Sequence, residues 1–361
     1  MRIGIIGLPN SGKTTIFNAL TGGKALTTAY TGSSFHVNTA VVRVPDHRLD
    51  SLSAMYQPEK TTPARVEYAD IAGLSSVEER DRSTALSGEL MNAIGSNDAL
   101  LHVVRVFEDK NAPHLLETVD PARDIAILDA ELILSDLSKI ENRLERLNTR
   151  LKKGKTLPTF EEDKQEFAIL DRLKTHVEQG HPIRDYQLSA PEEKRLRGFQ
   201  FLSARPVMVL LNLGDEGEAP EINYPHRESL VTAMRGRLEM DMAQLEGEDQ
   251  ALFMAEYDLS ELSVERIIRQ SYDLLGRMTF FTVGEDEVRA WETRRNATAL
   301  ECAGALHTDL ARGFIAAEMV SYGDLVTFGA HVAAKSAGKV RIVGKEHVIH
   351  DGDIVEIRFN I

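Results

Sequence analysis

Gly7-Leu8-Pro9-Asn10-Ser11-Gly12-Lys13-Thr14 is the stretch on which the fold turns. An apolar run, Ile3–Ile6, precedes it, and Ile16, Phe17 and Leu20 follow at helical spacing. The octapeptide fits GxxxxGK[ST] between a predicted strand and a predicted helix, the setting that gives this motif its meaning as a phosphate loop. Glycines let the backbone curl so that successive N–H groups face phosphate oxygens. The start of the following helix adds positive dipole character. Lys13 is expected to reach the β and γ phosphates and to be catalytic, and the Thr14 hydroxyl is expected to ligate Mg²⁺. Pro9, Asn10, Ser11, Gly12 and Thr15 complete the expected phosphate-binding set.

Outward from this loop, apolar runs at Ala40–Val44, Val66–Tyr68, Leu100–Val106, Val207–Leu211 and Leu230–Val231 read as further strands. Strands alternating with helical segments imply an α/β fold with a mostly parallel sheet covered on both faces. Asp70-Ile71-Ala72-Gly73 ends one strand. This DxxG pattern places the Asp70 carboxylate near Mg²⁺ and the Gly73 amide near a γ-phosphate, so Gly73 joins Lys13 as an expected catalytic group. Asn212-Leu213-Gly214-Asp215 stands where the base-reading NKxD motif belongs, with Leu213 in place of the lysine. Thr232, Ala233 and Met234 are expected to form the last loop touching the base. The segment Thr27–Val42 is rich in small polar residues and suits a switch ordered by phosphate and metal, with Ser34 as the candidate metal hydroxyl. Motifs placed in this order at strand ends fit ligand binding along the carboxyl edge of an open sheet.

From about Asp120 to Phe201 strand signals fade. Ile133, Leu137, Ile140, Leu144, Leu147 and Leu151 repeat at alternating spacings of four and three, a heptad seam. A second helix carries Phe167, Leu170, Leu173 and Val177. Together they predict an antiparallel helical hairpin with a basic tip: Arg146, Arg150, Lys152, Lys153 and Lys155. From about Met278, short apolar runs (Phe280–Val283, Ile315–Val320, Val340–Val343, Ile354–Phe359) separated by turns predict a compact α+β module. The expected domains are residues 1–120 with 202–277 (nucleotide-binding), 121–201 (coiled-coil insert) and 278–361 (C-terminal module).

The composition of the 361 residues, 42% hydrophobic and 27% charged, is that of a globular protein. A net charge of -14 argues against coating nucleic acid with the whole surface, so contact with RNA needs a local basic patch. No specificity for DNA is evident. The lone Cys302 can form neither an intramolecular disulfide nor a thiolate metal site. No apolar run approaches a membrane span, and a cytoplasmic location is expected.

The runs GLPNSGKTTIFNALT, DIAGL, HVVRVFED, VDPARDI, TFFTVGEDEVRAW and AGALHTDLARGFIAAEMVSY resemble the YchF, or Obg-like ATPase, family over nearly the whole chain. The resemblance implies a GTPase-like switch domain with a coiled-coil insert and a C-terminal TGS module of β-grasp type. It also implies hydrolysis of ATP in preference to GTP, and association with ribosomes. Two features depart from the family pattern. The glycine-rich stretch after DIAGL is replaced by Ser75-Ser76-Val77-Glu78-Glu79-Arg80-Asp81-Arg82, and the base motif ends in Asp215 rather than glutamate.

The position after Gly73, often a water-orienting glutamine, is Leu74, which cannot hydrogen-bond. Slow turnover accelerated by a partner is therefore expected, with His36 a possible donor. Asp215 suits guanine, whose N1–H and N2–H₂ both donate to a carboxylate, while the resemblance favours adenine. The expected substrate is accordingly ATP or GTP with Mg²⁺, and the expected partner a ribosome or ribosomal RNA. An alternative is a nucleotide-sensing RNA- or ribosome-binding adaptor with little hydrolysis. A small-molecule kinase is disfavoured, because it needs neither DxxG nor a base motif.

Overall fold

The computed structural model describes residues 1–22, 28–31, 36–71, 88–154, 158–245, 252, 254 and 262–360. In chain order its strands are β1 (Arg2–Ile6), β2 (Thr28–Thr31), β3 (His36–Arg43), β4 (Lys60–Thr62), β5 (Arg65–Ile71), β6 (Ala99–Arg105) and β7 (Val207–Asn212). β8 (Ser229–Met234), β9 (Arg277–Thr282), β10 (Glu287–Arg294), β11 (Phe314–Ser321), β12 (Arg341–Val343) and β13 (Asp353–Phe359) follow. The chain divides into two compact units, Met1–Val42 with Glu67–Val264, and Arg43–Val66 with Glu265–Ile361.

The first unit is built on a seven-stranded sheet of order β2-β3-β5-β1-β6-β7-β8. β1 pairs in parallel with β5 and β6, and β6, β7 and β8 continue the parallel ladder. β6 and β7 are buried at every residue, as strands covered on both faces must be. The parallel run brings the carboxyl ends of β5, β1, β6, β7 and β8 to one edge. β1 lies between β5 and β6, and chain connections leave it to both sides, which opens a crevice at that edge.

The helix Pro121–Leu151 starts where the Asp120 side chain accepts a hydrogen bond from the Arg123 N–H at 3.0 Å and Pro121 supplies a preset φ. Its two halves have different neighbours. Ile125, Leu128 and Leu132 belong to the sheet core with Leu100, Val104, Val209 and Leu211. Ile133, Ile140 and Leu147 instead pack with Leu170, Leu173 and Val177 of the helix Phe160–Glu178, and Leu137, Leu144 and Phe167 flank them. The heptad seam is thus a real packing surface, but the first turns of the same helix serve the sheet. Asp136, fully buried, accepts from the N–H groups of Leu202 (2.9 Å) and Ser203 (2.7 Å), fixing the chain where it returns from the hairpin to β7.

The second unit carries a six-stranded sheet of order β12-β11-β13-β9-β10-β4. The helix Ala299–Leu306 covers it, burying Cys302 among Phe280, Phe314 and Val355. Burial pushes the Cys302 thiol up to about 12, so it stays protonated and inert. Residues 43–66, expected to lie with the nucleotide-binding domain, contribute β4, which pairs in parallel with β10.

Candidate functional site

At the end of β1 the chain turns through Asn10 (φ 61°) and Gly12 (φ 92°) into the helix Lys13–Thr21. Both angles are left-handed, and at Gly12 an added Cβ would come 2.2 Å from Asn212 Nδ2. The Lys13 ammonium is buried and donates to the carbonyls of Gly7 (3.1 Å) and Leu8 (3.0 Å). Burial pushes its pKa down to about 8, against the opposing pull of Asp70. The Thr14 hydroxyl donates to Asp70 Oδ2 at 2.9 Å, so the phosphate-loop threonine and the DxxG aspartate meet across two parallel strand ends. Burial raises the Asp70 pKa, while Thr14 and Lys13 oppose that shift.

Two buried oxygens at this strand end and in the phosphate loop, Asp70 Oδ1 and Ser11 Oγ, have no hydrogen-bond partner among the described residues. Uncompensated buried oxygens are costly, and a cation or polar ligand atom relieves them. A hydroxyl and a carboxylate in contact also match the hard oxygen set of a Mg²⁺ that completes its shell with phosphates and water. The residues present therefore fit Mg²⁺ at Thr14 and Asp70. Ser34, Gly73 and Leu74 lie outside the described residues, as do Ser75 to Arg82, Lys155 and the side chain of His36.

Asn212 closes β7 and is buried. Its Nδ2 donates to the Ser11 carbonyl at 2.9 Å, and its Oδ1 accepts from the Gly236 N–H at 3.1 Å. The asparagine thus latches the phosphate loop to the helix Gly236–Met242. Beside it opens a cleft of about 560 Å³, of the size that small-ligand sites have. Leu213 and Asp215 line this cleft with Gly12, Thr15, Phe107, Arg237 and Met240. Thr232, Ala233 and Met234 do not. β8 runs on through Met234, so the turn comes later, at Arg235, and the cleft wall is supplied by Arg237, Met240 and Asp241.

Three further groups escaped the sequence reading. Arg105, at the end of β6 and 1% exposed, donates to Phe107, Ala112 and Asn10 carbonyls. Arg235 donates to the carbonyls of Gly214 (2.7 Å) and Gly217 (2.9 Å), bracing the turn that carries Asp215. His114 accepts the Leu116 N–H at Nδ1, so its Nε2–H donates to Asp124, 2.7 Å away and buried. Only Arg105 left a sequence signal, a charge closing a strand that is apolar apart from His102.

The hairpin tip is less uniform than its sequence. Arg150 is tied to Asp163 at 3.0 Å and to the Thr159 hydroxyl at 2.7 Å. Arg146, Lys152 and Lys153 are exposed, and among the described residues they form no ion pair.

Comparison with known proteins agrees with this geometry. Residues 2–149 match a family model described as "50S ribosome-binding GTPase", and residues 277–360 match the YchF-GTPase_C model, described as "Protein of unknown function (DUF933)". The "Ribosome-binding ATPase YchF" of Bacillus subtilis is 38% identical across 99% of this chain and 99% of its own. The protein of that name from Escherichia coli O157:H7 is 36% identical across 100% and 99%. The solved structure of the Schizosaccharomyces pombe YchF GTPase superimposes with a TM-score of 0.83 at 27% identity, covering 99% of this chain and 97% of that one. With a third or more of its residues shared along the full length of such relatives, and with the phosphate loop, Asp70 and Asn212 drawn to one sheet edge, the chain belongs to the YchF family.

Proposed function

We propose that this chain is a nucleotide-dependent switch that binds ATP or GTP with Mg²⁺, hydrolyses it slowly and works on the ribosome in the cytoplasm. The observation that carries this reading is the meeting of Thr14 and Asp70 at 2.9 Å beside the buried Lys13, in a loop whose Gly12 and Thr15 line a cleft shared with the base motif. Phosphoryl transfer asks a protein for positioning and charge neutralisation more than for covalent chemistry. Lys13 and the phosphate-loop amides hold the phosphates, Thr14 and Asp70 hold the metal, and Gly73 contributes an amide near the γ-phosphate. The metal, when bound, neutralises charge that develops on the phosphate oxygens. Leu74 cannot orient water, which keeps the basal reaction slow.

The base lies against Leu213, Phe107 and Met240, which are apolar and indifferent to its identity. Asp215 is exposed at the cleft and is the group that discriminates. Docking on ribosomal RNA falls to the tip residues Arg146, Lys152 and Lys153, whose charges form no ion pair among the described residues. Competition of ATP and GTP against one labelled triphosphate tests the nucleotide reading. Wild type should take up both, and Asp215→Asn should lose guanosine triphosphate while gaining xanthosine triphosphate. Guanosine triphosphate held by that variant at the wild-type level would exclude Asp215 as the base reader. A chain that binds neither nucleotide would end the whole proposal.

A further inference from the structure

Arg105 is a charged side chain that is 1% exposed, and none of its partners among the described residues is a carboxylate. Its Nε donates to the Phe107 carbonyl at 2.9 Å, and one terminal nitrogen donates to the carbonyls of Ala112 (2.6 Å) and Asn10 (3.3 Å). The guanidinium carbon stands 4.4 Å from the centre of the Phe107 ring. The other terminal nitrogen is buried and has no hydrogen-bond partner among the described residues. An arginine cannot shed its proton at any physiological pH. A buried charge is costly unless an opposite charge pairs with it. Carbonyl dipoles and an aromatic face compensate only part of that cost, so the structure holds a positive charge in deficit beneath the phosphate loop.

The second observation is where the carbonyls lie. Asn10 and Ser11 are consecutive in the phosphate loop. The Asn10 carbonyl is held by Arg105 from the end of β6, and the Ser11 carbonyl by Asn212 from the end of β7. The Asn10 side chain is tied to the same segment as Ala112, through Nδ2 to the Pro113 carbonyl at 3.2 Å. Pinning two successive carbonyls fixes two successive peptide planes. The N–H of the first plane, from Ser11, closes the turn by donating to the Leu8 carbonyl at 3.3 Å, and the N–H of the second, from Gly12, points away from Asn212, as a phosphate cradle needs.

We infer that Arg105 is a positioning residue of the nucleotide site. It sets the Asn10 peptide plane and supplies an uncompensated buried positive charge that favours ligands in proportion to their phosphate charge. This rests on the nucleotide-binding reading above and adds to it a residue that touches the loop rather than the ligand. The charge acts at low effective dielectric, where Coulomb interactions carry further than in water.

The test is calorimetric titration of wild type, Arg105→Gln and Arg105→Lys with the mono-, di- and non-hydrolysable triphosphate of the nucleoside that wild type prefers, alongside thermal melting. The loss of affinity in Arg105→Gln should rise along that series, from a few-fold for the monophosphate to roughly a hundredfold for the triphosphate, given ~1.4 kcal/mol per tenfold. Arg105→Lys, which keeps the charge and loses the planar fork, should show the same trend at smaller size. A purely structural arginine would lower the melting temperature and weaken all three ligands equally, and that result overturns the inference. Unchanged affinity for all three overturns it too. Should Arg105→Gln fail to fold, the trend in Arg105→Lys decides alone. If wild type binds none of the series, it is the nucleotide reading that has failed.

Discussion

The phosphate-loop edge and the helical hairpin of the first unit are stabilised in opposite ways. At the edge, side chains reach backbone atoms of distant loops: Asn212 to Ser11 and Gly236, Arg105 to Asn10 and Ala112, Lys13 to Gly7 and Leu8. Each contact depends on the identity of one residue and on the angle of one peptide. The hairpin is held by a seam of Ile and Leu side chains that touch one another, with charge pairs such as Arg143–Glu166 and Lys174–Glu141 on its flanks. There, volume and periodicity matter, and exchange of one aliphatic group for another is tolerated. A region that must fix backbone N–H groups in space spends specific residues. A region that must only project a surface spends a pattern.

Four variants and one titration sharpen or break this contrast. The largest effect is expected from Gly12→Ala. Left-handed strain of about 1–3 kcal/mol adds to the displacement of Asn212, whose Nδ2 the new Cβ would meet at 2.2 Å. Triphosphate affinity should fall roughly a hundredfold or more, with the hairpin unaltered by circular dichroism. Near-wild-type binding would show that the loop tolerates what its geometry forbids.

Ile140→Ala, at a fully buried seam position, should do the reverse. It should cost about 2–5 kcal/mol in denaturant unfolding and leave nucleotide affinity of the folded protein unchanged. An equal loss of affinity would mean that the hairpin and the edge are one energetic unit, and the contrast would fall.

Replacing Arg146, Lys152 and Lys153 together by glutamine should leave stability untouched and weaken ribosome co-sedimentation. The slope of affinity against salt should drop by roughly three, one per lost phosphate contact. Arg150→Gln alone should instead loosen the tip, because its guanidinium is engaged with Asp163 and Thr159. Pelleting of the triple variant at the wild-type level across all salts would make the tip a solvated helix end.

The smallest effect concerns the cap of the helix Ala190–Leu196. The Ser189 N–H, the Ser189 hydroxyl and Arg172 hold the half-buried Glu192 carboxyl down to about 2, from an ordinary 4.5. A depressed folded pKa means that the cap is fully formed above pH 4.5 and is lost as pH falls toward about 2. A carbon-13 titration of Glu192 should place its midpoint well below the ordinary value. A midpoint at the ordinary value would show that the capping box is not populated in solution.

The same contrast explains how much the sequence disclosed. The phosphate loop, the strand that carries Asp70 and the strand before Asn212 are legible because each motif is local and sits at a strand end. The hairpin is legible because its seam repeats. What stayed hidden joins residues far apart. Nothing near Arg105 announces that Asn10 is its partner, and nothing around Asn212, which also lines the cleft, announces its bonds to Ser11 and Gly236. β4 is three polar residues, Lys60-Thr61-Thr62, without an apolar signal, and it finds β10 only in three dimensions. Leu230–Val231 reads as a complete strand in sequence, which puts Thr232 to Met234 in a loop, and the parallel pairing with β7 carries β8 to Met234.

The central claim is that this edge hydrolyses a Mg²⁺-bound triphosphate, with Lys13 as the group that the reaction cannot lose. Single-turnover release of γ-phosphate from ATP and from GTP, measured for purified wild type and for Lys13→Ala with and without Mg²⁺, tests it most directly. Wild type should release phosphate only with Mg²⁺, at a rate well below the roughly 1–100 s⁻¹ of kinases. Lys13→Ala should melt as a folded protein and release none above background. Equal release by wild type and Lys13→Ala, or release by wild type that is indifferent to Mg²⁺, would contradict the account.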